Sequence, residues 1–301
     1  MLPCPKLKNP IKHTAFLTDF GAVGDGKTSN TKAFEYAIRN LSQYANDGGA
    51  LLVVPPGKWL TGSCNLTSHF TLFLQNHAVI LGSQDESEWP SFPVLPSYGK
   101  GRDAPNGRFS SLIFGTNLTD VVITTFNGTI DGQGSYWWNK FHKDELKLTR
   151  PYLIEIIDII IQGLNIIAPI DSPNTDGIDP DSCSNVKIED CQIISGDDCV
   201  AIKSGWDNYG IQFGMPSQHI VIRRLKCISP DSAMIALGSE MSGSYGSHPN
   251  PNFDPKALPN ITGINYSNVI AENVTYSARL PNITDICISN VTIHTVGKKL
   301  Q

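Results

Sequence analysis

The stretch IIIQGLNII, residues 159–167, places apolar side chains at Ile159, Ile161, Leu164 and Ile166, in steps of two, three and two. The same steps recur at Val186, Ile188, Cys191 and Ile193, and at Ile220, Ile222, Leu225 and Cys227. They return at Ile264, Tyr266, Val269 and Ala271, and at Ile286, Ile288, Val291 and Ile293; Val121, Ile123 and Phe126 begin a further copy. A step of two keeps successive side chains on one face of a strand. A step of three crosses a bend and resumes on the next short strand with its apolar side still inward. One such unit cannot bury its own inner face, but stacked units share a continuous core. The shortest interval, from Ile264 to Ile286, suits one coil of a parallel β-helix. Alternation alone also describes a β-sandwich; the unequal steps and the shortage of Asn-Gly hairpin turns favour the solenoid.

The N-terminal region has a different period. Phe34, Ala37, Ile38 and Leu41 repeat at helical spacing behind Ser29 or Asn30 as a cap, and Gly48-Gly49 closes the segment. A short helix there covers the open end of the first coil. The organisation read from the chain is one domain over 1–301: a cap region over 1–50 and coils over 51–301.

Composition narrows the function. The 301 residues are 40% hydrophobic and 17% charged, which supports a packed core and argues against global disorder. The net charge is -5, and the clearest basic cluster, Arg223-Arg224-Leu225-Lys226, lies inside an apolar repeat, so it reads as a solvated face. No nucleic-acid partner is expected. No membrane partner is expected either, because no apolar run approaches a membrane span. The first residues hold no apolar h-region of a secretory leader. Nine Asn-x-Ser/Thr sequons, at Asn40, Asn65, Asn117, Asn127, Asn260, Asn265, Asn273, Asn282 and Asn290, nevertheless fit a secreted glycoprotein, with structural recurrence of Asn and Thr as the alternative. None of the seven cysteines forms CxxC, and their pairing stays open. No cofactor is expected.

Two acidic motifs stand out, SPNTDGIDPDS at 172–182 and SGDDCVAIKSG at 195–205. Asp176 and Asp197 are 21 residues apart, close to one coil. Stacking would bring Asp176, Asp197 and Asp198 to one surface, with Gly177 and Gly196 letting the backbone bend tightly beside them. Converging carboxylates suit glycoside hydrolysis: one gives a proton to the leaving oxygen, another activates water, and mutual repulsion separates their pKa values. A plain turn and a Ca²⁺ site are the competing readings, although EF-hand spacing is absent. Asp179 and Asp181 read as solvated turn residues.

NTDGID at 174–179 and SGDDCVAIKSG resemble the paired signatures of polygalacturonases, glycoside hydrolase family 28. DFGAVGDGKTSNTKAF at 19–34, IDGQGSYWW at 130–138 and TRPYLIE at 149–155 fit as well, and IALGSEMSG at 235–243 is similar to the plant polygalacturonase-like branch. The resemblance implies an all-β, right-handed parallel β-helix that hydrolyses α-1,4 links of pectic galacturonan with inversion. It also implies a monomer in the extracellular cell wall. On that pattern Asp197 is the general acid, Asp176 and Asp198 hold and activate water, and Asn174 shapes the site. Ser232 stands about where the family's His would be, and is taken as substrate-binding. Lys203 is either a substrate contact or a structural ion pair.

The chain also departs from the pattern. It has no Gly-His-Gly and no Arg-Ile-Lys, the motif that binds the substrate carboxylate in typical members. Against that pattern, coils are expected to be missing near 157–159 and 243–244, and the chain is expected to stop early at GKKLQ. Without the Arg and Lys, binding of an acidic sugar polymer is expected to be weak. A catalytically dead pectin-binding wall protein and a Ca²⁺-dependent pectate lyase are the alternatives.

Overall fold

A computed structural model describes residues 11–99, 107–116, 118–156, 159–172, 174–237, 264–272 and 286–294. The chain divides into two compact units, one of Met1–Phe92 and Gly107–Ile160, the other of Pro93–Asn106 and Ile161–Gln301. Nearly all strand pairs are parallel; among the described residues only Ser91–Phe92 with Arg108–Phe109 is antiparallel.

In the first unit His13–Phe16, Ala50–Val54, Phe70–Leu74 and Val121–Thr125 stack in parallel. A second sheet joins Asp25–Ser29, Gly57–Thr61, Ala78–Gly82 and Thr129–Asp131, and a third joins Cys64–Asn65, Ile113–Gly115 and Ile154–Ile156. Leu52, Leu72 and Ile123 lie in register through the first sheet and are fully buried. Helix α1, Thr31–Leu41, buries Phe34, Ala37, Ile38 and Leu41, as its spacing predicts. Asn30 stands at its N-cap but makes no side-chain cap bond. Its side chain instead accepts from the Val23 amide at 2.7 Å and donates to the Thr28 and Val23 carbonyls.

In the second unit the repeat marks are register partners. Ile188 lies opposite Ile222, Ile222 opposite Tyr266, and Tyr266 opposite Ile288. Ile166, Ile193, Cys227, Ala271 and Ile293 form a second row. Ile188, Ile193, Ile222 and Cys227 are fully buried. Each isoleucine so buried contributes roughly 1.5–3 kcal/mol. The step of three has a local cause. Gly163, Asp190 and Arg224 occupy the left-handed region, with φ of 68°, 56° and 53°, one position before the buried Leu164, Cys191 and Leu225, and Asn268, φ 54°, holds the same place in the next copy. That bend re-aims the chain and keeps the apolar side inward.

Phe126 breaks the pattern. It was expected inward, but it is 58% exposed. In its coil the left-handed residue is Asn127, φ 56°, which comes after Phe126 rather than before it. The next inward position falls on Gly128, which is buried.

Arg223 and Arg224 are held by the coil beneath: Arg223 Nε donates to Glu189 at 2.9 Å and Arg224 Nη2 to Asp190 at 2.8 Å. Their charge is largely met within the sheet. No helix among the described residues is long and apolar enough to cross a membrane. The expected missing coil near 243–244, and most of the one near 157–159, lie outside the described residues.

Candidate active site

Three successive coils of the second unit bring the acidic motifs together. Ile178 lies opposite Val200 and Asp181 opposite Lys203, the same offset that separates Asp176 from Asp198. Val200 in turn pairs with Ile235, the offset that separates Asp197 from Ser232. The backbone ties the coils close to the carboxylates: the Gly177 amide donates to the Asp198 carbonyl at 2.9 Å, and the Cys199 amide to the Ala233 carbonyl at 3.0 Å. Gly177 and Gly196 serve close approach rather than a special φ. A Cβ at Gly196 would sit 2.3 Å from the Ser172 carbonyl oxygen, and one at Gly177 2.6 Å from that of Cys199.

Asp197 is aimed by a polar chain. Ser195 Oγ donates to the Thr175 carbonyl, the Gly196 amide donates to Thr175 Oγ1 at 3.2 Å, and the Asp197 amide donates to Ser195 Oγ at 3.0 Å. The Asp198 amide donates to Asp197 Oδ1 at 3.0 Å. Asp198 Oδ1 accepts from the Ala233 amide at 2.9 Å. Ser232 Oγ lies 3.0 Å from Asp197 Oδ1 and 2.6 Å from Asp198 Oδ1. Its one hydroxyl hydrogen can serve only one of them at a time.

Burial pushes Asp197 above the ordinary carboxylate range, and the nearby Asp176 charge pushes it further, against the bond from Ser232. Asp198 is raised as well, again mainly by burial, against the bonds from Ser232 and the Ala233 amide. Lys203 Nζ sits 2.9 Å from Asp176 Oδ2 and 3.0 Å from Asp179 Oδ2. The lysine side chain is 8% exposed and that of Asp176 13%. The space between Asp176 and Asp179 is thus filled by an ammonium group rather than left open to a cation. Asn174 is exposed, with φ 51°.

Sequence reasoning did not foresee the contact of Asp179 with Lys203. Asp181 is not a solvated turn residue: it is half-buried, lies opposite Lys203, and accepts from the Gly205 amide of the next coil and from Ser182 Oγ, both at 2.9 Å. Cys199, next to the acidic pair, is bonded to Cys227 on the following coil. Nothing in the regular spacing of Cys183, Cys191 and Cys199 marked that partner. Cys191 is a buried thiol pushed up to about 11, mainly by desolvation.

The sequence profile of glycosyl hydrolases family 28 matches residues 147–218, which contain both acidic motifs. A profile described as rhamnogalacturonase A/epimerase, pectate lyase-like, matches residues 17–73. A probable polygalacturonase of Vitis vinifera is 52% identical across 95% of this chain and 75% of its own length. A probable polygalacturonase of Arabidopsis thaliana is 35% identical across 65% of this chain, but only 44% of its own length. Among solved structures, an exopolygalacturonase from Thermotoga maritima superposes with a TM-score of 0.68 at 24% identity, over 95% of this chain and 76% of that one. That likeness carries the fold, a parallel β-helix. The grapevine relative carries the descent: the chain belongs to glycosyl hydrolases family 28, the polygalacturonase family.

Proposed function

We propose that this chain is a pectin-degrading glycoside hydrolase that cleaves α-1,4-galacturonosidic links by inverting acid/base hydrolysis. The observation that carries the reading is the convergence of Asp176, Asp197 and Asp198 from neighbouring coils, with Asp197 and Asp198 both held above the ordinary carboxylate range. Asp197 is the general acid: burial and the Asp176 field keep its proton on until the leaving oxygen takes it. Asp198 and Asp176 hold and activate the attacking water. Lys203 Nζ, 2.9 Å from Asp176 Oδ2, fixes the position of that carboxylate. Asn174, exposed at the rim, shapes the subsite; Ser232 sits where it can meet both substrate and acids. The partner is pectic galacturonan, met by a monomer in the extracellular cell wall, with no nucleic-acid or membrane partner.

We further infer a single domain from which coils near 157–159 and 243–244 have been lost. The alignment to the grapevine relative supports this: it spans 369 positions, more than the 301 residues of the whole chain, so it must carry gaps in this chain. Without Arg-Ile-Lys, affinity for the uronate falls while the acid machinery stays.

The test is reducing-end release from polygalacturonate by the purified chain. Slow release is expected, with a KM above that of the grapevine relative, no ultraviolet-absorbing product, and loss of release on Asp197→Asn. Unchanged release in that variant would refute the acid assignment. Binding to galacturonan with no release by the unmodified chain would establish the dead-site reading instead.

A further inference from the structure

The first unit carries a surface groove of about 350 Å³ lined by Pro56, Phe73, Gln75, Asn76 and Phe126. The acid chemistry does not use it. Its aromatic wall is unusual: Phe126 is 58% exposed because the left-handed turn follows it. The residue that makes that turn, Asn127, opens the sequon Asn127-Gly128-Thr129. Asn127 is exposed, and its Nδ2 donates to Asn76 Oδ1, on the groove wall, at 2.9 Å. The acceptor amide of a glycosylation sequon is therefore held at the edge of a groove with an aromatic face and two amide side chains, the combination that suits a sugar ring.

We propose that Asn127 carries an N-linked glycan whose first N-acetylglucosamine lies in this groove, its apolar face on Phe126 and its hydroxyl and acetamido groups toward Gln75 and Asn76. The donor is an oligosaccharide linked through N-acetylglucosamine to a polyprenyl diphosphate. Asn127 Nδ2 attacks the anomeric carbon, and the N–C bond forms. The bond from that carbon to the diphosphate oxygen breaks, and the lipid diphosphate leaves with the electron pair. One amide proton passes to a base of the transferase. The remaining N–H can keep its bond to Asn76, so the folded turn accepts the sugar without rearrangement. The groove thereby gains an occupant that covers Phe126.

The test uses the full chain secreted from a eukaryotic host behind a leader. Glycopeptide mass spectrometry is expected to find hexosamine on the peptide containing Asn127 and none there in Asn127→Gln or Thr129→Ala. Enzymatic removal of the glycan is expected to lower Tm by roughly 2–4 °C, the shift of one aromatic contact in a domain of this size. Phe126→Ala keeps the sequon but loses the wall, so deglycosylation is expected to leave its Tm nearly unmoved. A secreted chain with Asn127 unmodified would overturn the site. An equal Tm loss in Phe126→Ala and the unmodified sequence would overturn the groove.

Discussion

The Lys203 ammonium lies 2.9 Å from the Asp176 carboxylate, with both side chains nearly out of solvent. Removing one partner leaves the other charge buried and uncompensated. Lys203→Met is expected to destabilise the chain by about 3–5 kcal/mol. Lys203→Met with Asp176→Asn is expected to recover much of that. Urea midpoints of the two variants decide it: a single variant as stable as the unmodified chain would place Lys203 outside the structural role.

Asp197→Asn separates stability from activity. A raised folded pKa means folding favours the protonated carboxyl. That contribution is fully present below the unfolded value and is lost as pH climbs through the raised folded one. An asparagine has no charge to bury, so the variant is expected to melt above the unmodified chain at pH 7. The gap should close as pH falls toward 3.8, the ordinary value. Turnover should fall about 10²–10⁴-fold. A Tm difference that does not depend on pH would contradict the burial account.

Ser232 lowers the pKa of both Asp197 and Asp198 through its hydroxyl. Ser232→Ala is expected to raise both. The acid limb of the kcat/KM profile, set by the base, and the alkaline limb, set by the acid, should then both move to higher pH. A change of KM with a fixed profile would instead make Ser232 a substrate contact alone.

The Cys199–Cys227 bond closes a loop of 28 residues that begins directly after Asp198. A loop of that length corresponds to about 3–4 kcal/mol on a chain-entropy account. Cys227→Ser is expected to lose that much, measured as a urea midpoint, and to be insensitive to reductant. Reductant should bring the unmodified chain down to the same midpoint. Equal midpoints in all four samples would show that the bond does not constrain the unfolded chain.

Much of the fold was legible because a solenoid is built from nearest neighbours. Ile188, Ile222 and Tyr266 repeat in sequence because they stack in space, and a left-handed residue before each second half explains the odd step. Phe126 was misplaced because spacing alone does not show on which side of it the bend falls. Asp176 was legible as a neighbour of the acidic pair because it lies 21 residues, close to one coil, before Asp197; the register sets Asp198 at the full offset.

The sequence by itself therefore marked the two-three-two repeat, the N-terminal helix and the two acidic motifs, since these are written in local spacing, while the family was legible in the resemblance of whole motifs. Only the tertiary structure decided that Lys203 pairs with Asp176 and Asp179, that Ser232 bridges Asp197 and Asp198, and that Cys199 is bonded to Cys227. Those contacts depend on how far each coil's loops carry the chain before it returns to register. The offset is one length between Ile178 and Val200 and another between Val200 and Ile235, and no local rule states it.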